Sequence, residues 1–196
     1  MNFIFDIGNV LIDFKPRIFL KKLFAEQTTS NEISEKMLEI IFSSQEWVKL
    51  DQGLITHQEA TDTFCLREPA YQSEIKLVMA SLEEMLTPIS ETIELLPKIK
   101  SSGHSLYYLS NYHKKLSEYI LEENDFFKLF EGGVFSCDIN VNKPDPEIYR
   151  CLLERYNLSP KDCIFFDDIE ENIVAAQKEG IKGVLFTDAE CVKAYV

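Results

Sequence analysis

Apolar positions along this chain keep two different periods, and the change between them divides it. From Lys15 to about Met85 they recur three and four apart: Ile18, Phe19, Leu23 and Phe24, then Ile33, Met37, Ile40 and Ile41, then Leu77, Val78, Leu82 and Met85. That spacing puts an apolar stripe on each of a series of helices. Pro16 suits a first helical turn, where its missing N–H costs nothing. Thr29, Ser30 and Asn31 form a loop and cap, and Asp51–Gly53 forms a turn. Thr56 and Glu59 have the spacing of a capping box, and Glu68–Pro69 ends that helix. No strand pattern interrupts these seventy or so residues.

Elsewhere the apolar residues come in short unbroken runs: Phe3–Phe5, Leu106–Leu109, Val134–Phe135, Cys163–Phe166 and Gly183–Phe186. Between them lie stretches of helical period, at about 89–100 and 114–122, from Pro144 through Leu153, and from Ile173 to a stop at Gly180. Continuous apolar runs mark strands buried on both faces. Strands alternating with helices over short loops predict βαβ units and a parallel sheet with helices on both sides. The expected fold is α/β, a Rossmann-like doubly wound sheet formed by residues 1–14 and 88–196. A helical insertion, residues 15–87, interrupts it after the first strand.

Composition narrows the setting. The chain has 196 residues, 45% of them hydrophobic, which suits one packed domain with an insertion. A formal net charge of −13 opposes nucleic-acid binding, which needs clustered Lys and Arg. It equally opposes docking on anionic membranes. No run approaches the ~20 apolar residues of a membrane span. The start MNFIFD has no basic region and meets an acid at Asp6, unlike a signal peptide. Five widely spaced cysteines without a CxxC pair exclude zinc-ribbon and thioredoxin readings. The expected location is cytoplasmic, and the expected state a monomer or weak dimer.

Ligands of open α/β sheets bind outside the carboxyl ends of the strands. Here those ends carry Asp6, Ser110 with Asn111, Ser136, and the pair Asp167-Asp168, and Lys143 follows Ser136 ahead of a Pro-Asp-Pro turn. Taken singly, each is an ordinary cap, turn or surface residue. In a parallel sheet they converge on one edge. Three crowded carboxylates do not all ionise without a cation. A hard divalent ion with oxygen ligands, Mg²⁺ above all, resolves the repulsion. Mg²⁺ favours a phosphate oxygen as a further ligand, and Lys143 is the natural second positive charge on that phosphate. One carboxylate is then left to attack phosphorus. The expected partner is a small phosphorylated metabolite.

Four segments, FDIGNVL, YYLSN, NKPDPEIY and FFDDIEEN, stand in an order and spacing that resembles the haloacid dehalogenase superfamily of phosphohydrolases. Within it the likeness is to small bacterial sugar-phosphate phosphatases such as glucose-1-phosphate phosphatase, and to the N-terminal phosphatase domain of soluble epoxide hydrolase. The resemblance implies that the insertion is a four-helix C1 cap. It implies that Asp6 is the nucleophile and a Mg²⁺ ligand, with the Gly8 carbonyl and Asp168 completing the protein's share of the metal site. It assigns Ser110, Asn111 and Lys143 to the phosphoryl group, Asp167 and Asn172 to supporting roles, and the segment Asp51–Thr56 to a specificity loop. Hinges are expected near Asp13–Pro16 and Leu86–Pro88.

One position departs from the commonest pattern of that superfamily. A second Asp two residues after the nucleophile usually protonates the leaving alkoxide and activates water. Here that position is Gly8. General acid–base catalysis is worth ~10²–10⁴-fold, so either the leaving group is good, as in an anomeric sugar phosphate, or another residue substitutes. Asp13, His57 and His113 are the candidates. A phosphosugar mutase would need the missing acid, and a dehalogenase would not need Asp167-Asp168. A non-enzymatic binder of a phosphorylated ligand or partner would not need Asp6.

Overall fold

The computed structural model of the chain describes residues 1–27 and 29–196. In chain order its strands are β1 (Asn2–Phe5), β2 (Ile12–Asp13), β3 (Thr87–Pro88), β4 (Ser105–Ser110), β5 (Gly132–Phe135), β6 (Cys163–Asp167) and β7 (Lys182–Leu185). Five of them form one sheet in the order β5-β4-β1-β6-β7, with every neighbouring pair parallel. The order reverses at the central strand β1, which puts the ligand-binding crevice of such a sheet at its C-terminal tip.

The strands are unbroken apolar runs because both faces of the sheet are covered. Phe3, Phe5 and Phe166 belong to one apolar layer, whereas Ile4, Leu109 and Phe165 belong to the other. Alternation along a pleated strand divides consecutive residues this way. The helices of the core are α6 (Ser90–Ile93), α7 (Leu96–Ser101), α8 (Lys114–Glu123), α9 (Pro146–Arg155), α10 (Glu170–Lys178) and α11 (Glu190–Lys193). Ile148 and Leu152 of α9 and Ile173 of α10 pack in the second layer. Leu96 of α7, Leu116 of α8 and Val192 of α11 pack in the first. The single helix expected over 89–100 is two, because Pro97 at the start of α7 cannot share a helix with the carbonyl four residues back. Helix α9 starts two residues later than expected, at Pro146, where Asp145 caps the Glu147 amide.

The segment between β2 and β3 is helical. It holds, among the described residues, α1 (Pro16–Leu23), α2 (Ser30–Met37), α3 (Gln45–Asp51), α4 (His57–Arg67) and α5 (Gln72–Ala80), five α-helices where the resemblance implies four. A π-turn over Leu38–Phe42 extends α2. The capping box of α4 is present, with Thr56 Oγ1 accepting the Glu59 amide and the Thr56 amide donating to the Glu59 carboxylate. The stripe on α1 is rotated from expectation. Phe19 and Leu20 are buried, whereas Ile18 is 64% exposed. Phe19, Phe64, Ile75 and Val78 belong to the same apolar cluster as Phe3 and Phe5, so this segment and the sheet share a continuous core. The chain leaves and re-enters the core side by side: β2 and β3 pair antiparallel, Ile12 with Pro88 and Asp13 with Thr87.

Close packing between β4 and β5 depends on a missing side chain. A Cβ at Gly133 would lie 2.3 Å from the Tyr108 carbonyl oxygen and ring. Gly133→Ala is expected to lower stability by about 1–3 kcal/mol in chemical denaturation. A transition unchanged from wild type would mean that the two strands separate without cost.

Candidate active site

The tip of β1 is set by the sheet. The Asp6 amide donates to the Phe166 carbonyl at 2.8 Å, extending the β1–β6 ladder by one residue and bringing Asp6 beside Asp167. Beyond it the chain turns sharply. The Val10, Leu11 and Ile12 amides close on the Ile7 carbonyl, and the Asn9 amide closes on that of Ile12. Asn9 sits at φ +56°, a left-handed conformation that Asn tolerates better than most residues. Its side chain accepts from the Phe14 amide and donates to Asp168 Oδ2, both at 3.0 Å. Asn9 thus ties the β1 tip to the β6 tip, a role the sequence reading left unassigned.

All the expected tip residues except Ser136 meet at one edge. Asp6 Oδ1 accepts hydrogen bonds from the Ile7 amide at 2.7 Å and Ser110 Oγ at 2.6 Å and forms an ion pair with Lys143 Nζ at 2.9 Å. Among the described residues no donor reaches Oδ2. Lys143 Nζ also reaches Asp167 Oδ2 at 2.6 Å. Asp167 is saturated from behind by Asn172 Nδ2, at 3.0 Å to each oxygen, and by the Ile169 amide at 2.8 Å. Asn111 lines the cavity, and its side-chain amide is engaged at both ends. It clamps the Lys143 backbone, with Oδ1 accepting the Lys143 amide at 2.7 Å and Nδ2 donating to the Lys143 carbonyl at 3.0 Å. Ser136 faces elsewhere. Its Oγ accepts the Tyr112 amide at 3.0 Å and donates to the Asp51 carbonyl at 2.5 Å.

Oxygens of Asp6, Asp167 and Asp168 come within 4.8 Å of one another. Burial is the main force raising the Asp6 carboxyl, opposed by Lys143 and reinforced by Asp167. Burial likewise raises Asp168, opposed by the Asn9 hydrogen bond. Burial would lower Lys143, but Asp6 and Asp167 together outweigh it and hold the ammonium charged. Three carboxylates facing one ammonium make an oxygen-rich site short of positive charge, the donor set of a hard divalent cation. Among the described residues the backbone bonds of the turn close on Ile7 and Ile12, leaving the Gly8 carbonyl without a backbone partner.

A cavity of about 140 Å³ opens in front of these groups, lined by Asp6, Gly8, Lys143 and Asp168 from the sheet edge and by Trp47 and Asp51 from α3. The position of α3 is fixed by polar contacts to the segment after β5. Besides the Ser136 bond, Asn140 Nδ2 donates to the Gln52 carbonyl at 2.7 Å and Asn142 Nδ2 to that of Val48 at 3.3 Å. Gly53 turns at φ +68°, and a Cβ there would meet the Cys137 carbonyl oxygen at 2.7 Å. The expected specificity loop therefore rests directly on the core. Tyr112 and His113 also line the cavity, and the Tyr112 hydroxyl and both His113 ring nitrogens are buried without a partner.

The three residues considered as substitutes for the missing acid do not reach that role. Asp13 lies outside this cavity and pairs with Lys15 at 2.5 Å. His57 Nε2 is engaged with the Met79 carbonyl at 2.9 Å. His113 lines the cavity, but burial, with His57 and Lys115 nearby, pushes it down to about 3. It stays an uncharged imidazole near neutral pH.

A family model described as haloacid dehalogenase-like hydrolase matches residues 1–180. The sesquiterpene phosphatase astK of Aspergillus oryzae is 27% identical over 186 residues, covering 95% of this chain and 89% of that protein. The phosphorylated carbohydrates phosphatase of Thermotoga maritima is 26% identical over 183 residues, covering 92% of this chain and 82% of that one. Among solved structures, the magnesium complex of the HAD family enzyme bt-2542 from Bacteroides thetaiotaomicron has a TM-score of 0.72 at 25% identity, covering 95% of this chain and 92% of that chain.

Asp167 is the shared acceptor of Lys143 and Asn172 at a fully buried position. Asp167→Ala is expected to cost ~3–5 kcal/mol in chemical denaturation, as removal of one partner of a buried ion pair does. Asn172→Ala should cost only about 1–2 kcal/mol, since Asp167 keeps Lys143 and the Ile169 amide. Equal losses would show that the ammonium is not anchored from this side.

Proposed function

The chain belongs to the haloacid dehalogenase-like hydrolases, and from that premise we propose that it is a Mg²⁺-dependent phosphatase of small phosphomonoesters, working through an aspartyl-phosphate on Asp6. One observation carries the reading: Asp6 lines the cavity, the Ile7 amide, Ser110 and the Lys143 ammonium hold its Oδ1, and among the described residues no donor reaches its Oδ2. That oxygen attacks phosphorus, and water later hydrolyses the acyl phosphate. Lys143 fixes the nucleophile and meets the charge of the transferring group. Ser110, which donates to Asp6 Oδ1, holds the same oxygen. Asn111 acts by placing the Lys143 backbone.

The donor set fits Mg²⁺. Asp6, Asp168 and the Gly8 carbonyl would hold it, with Asp167 in support through Lys143. When bound, the ion supplies the positive charge that lets the acids stay ionised and that stabilises the phosphoryl group in flight. The helical segment 15–87 serves as the cap, and its hinges coincide with the paired strands β2 and β3.

Cap and cavity favour a small hydroxylated leaving group, such as a sugar phosphate. The unpartnered Tyr112 hydroxyl and His113 nitrogens are hydrogen-bonding groups of the kind that a hydroxylated ligand satisfies. The name of the Thermotoga maritima relative points the same way.

Hydrolysis of p-nitrophenyl phosphate tests the core of the proposal. Activity should require Mg²⁺, vanish with EDTA and return when Mg²⁺ is restored. Asp6→Asn should lower kcat by roughly a thousandfold or more. Turnover that persists in EDTA would remove the metal from the mechanism. Turnover that persists in Asp6→Asn would remove the nucleophile.

A further inference from the structure

Gly8 leaves the leaving-group oxygen without the acid that usually stands two residues after the nucleophile. The backbone there has room: a Cβ at Gly8 meets only the Phe14 Cβ, at 3.8 Å. Across the same cavity, α3 ends in Asp51. No other carboxylate from the helical segment lines it. The Asp51 main chain is pinned by Ser136 at 2.5 Å, and the next turn is seated against Cys137 by Gly53. Its main chain is therefore seated on the core although it belongs to the insertion.

We propose that Asp51 is the general acid and base of the phosphatase reaction, acting from the cap where Gly8 has no side chain. This rests on the reading of Asp6 as nucleophile and goes beyond it. In the first step Asp6 Oδ2 bonds to phosphorus while the P–O bond to the leaving group breaks. The Asp51 proton passes to that oxygen, releasing the alcohol. In the second step the Asp51 carboxylate takes a proton from water as the water oxygen bonds to phosphorus. The Asp6–phosphorus bond breaks, inorganic phosphate leaves, and Asp51 is again protonated.

The surroundings suit both forms. Burial lifts the Asp51 carboxyl to about 7, while the His113 backbone and the Trp47 side chain pull it the other way. A group poised there holds and yields a proton near neutral pH. The titratable groups sharing its cavity are Asp6, Asp168, Lys143, Tyr112 and His113. The first three are engaged with one another or with Asn9. Tyr112 is raised by burial and by Asp6 and Asp51, and His113 is uncharged. Burial also raises Asp6, to about 7; what sets Asp51 apart is its place, the carboxyl that α3 brings to this cavity from opposite the sheet edge.

Rapid-quench kinetics on the Mg²⁺-loaded protein separate the two steps. In Asp51→Asn, turnover of an alkyl phosphate such as glycerol 3-phosphate should fall about 10²–10⁴-fold. With p-nitrophenyl phosphate, whose leaving group needs no proton, a burst of nitrophenolate should survive. Steady turnover should then stall at a phosphorylated enzyme seen by intact-mass spectrometry. Adding Gly8→Asp to Asp51→Asn should recover alkyl-phosphate turnover by about tenfold or more. Alkyl-phosphate turnover within about threefold of wild type in Asp51→Asn would overturn the proposal, as would loss of the burst in step with turnover. If Asp51→Asn does not fold, Ser136→Ala, which loosens Asp51 but keeps its carboxyl, should show the same split between substrates in smaller measure. The absence of any split would overturn the proposal. A burst that survives Asp6→Asn would instead remove Asp6 as the nucleophile, the reading on which this proposal rests.

Discussion

One buried ammonium holds the edge of this sheet together. Lys143 Nζ lies 2.9 Å from Asp6 and 2.6 Å from Asp167, with almost no exposure to water. Removing such charges from water is expensive, and attraction repays the cost only where the geometry is good and the remaining valences are met. The chain meets both conditions with hydrogen bonds from neighbouring side chains and backbone. Asn111 grips the Lys143 backbone at both its amide and its carbonyl, which aims the long side chain inward. Asn172 and the Ile169 amide fill the far side of Asp167. The charge count is still uneven, since Asp168 adds a third carboxylate. A divalent cation closes that difference, so the ion is as much a condition of the site's ionisation as of its chemistry.

The second constraint is the seat of α3 on the core. Ser136 sits at the end of β5 and joins two things at once, accepting the Tyr112 amide and donating to the Asp51 carbonyl. The loop after β4, the turn after β5 and the end of α3 are therefore tied together through one hydroxyl. Gly53 permits it, because any side chain there would strike the Cys137 carbonyl. The helical segment is not fastened by these bonds alone. Its apolar residues merge with the layer that covers Phe3 and Phe5, and its two ends are paired as β2 and β3.

Much of this was legible from the pattern of residues, because burial on both faces of a strand writes itself as an unbroken apolar run. The five strands, their polar tips at Asp6, Ser110 and Asp167, and the helical stretch between Pro16 and Met85 all follow from that rule. What was not legible are the partners of polar side chains. Asn111 reads as a strand-tip residue, and the contacts its side chain makes with the Lys143 backbone join positions far apart in the chain. Ser136 reads as a fourth tip residue and instead faces α3. Asn9 carries a detectable signal, since Asn beside Gly in a turn tolerates positive φ, but its hydrogen bond to Asp168 is a contact across 159 positions that no local spacing encodes. Asp51 falls in the segment that the resemblance assigns to a specificity loop, but which residue of that segment lines the cavity is not encoded locally, and Trp47 carries no signal for the same reason. They sit on a helix whose stripe says only which face is apolar, not where its last turn comes to rest.

Moving the proton donor from the β1 turn to α3 changes what docking means. An acid two residues after the nucleophile is rigidly attached to it and is present whether the cap is open or closed. An acid on the cap is present only while α3 is seated. Phosphoryl transfer and alcohol release then require the docked state, and so does activation of water in the second step, which keeps the acyl phosphate from being hydrolysed or discharged to a wrong acceptor while the site stands open. Exclusion of bulk water by closure and arrival of the acid become one event. Cap opening then follows phosphate formation rather than competing with it, and motions of this kind commonly set the turnover of such enzymes. The vacancy at Gly8 is in this light an exchange, in which a fixed acid is given up for one whose presence reports that the substrate is enclosed.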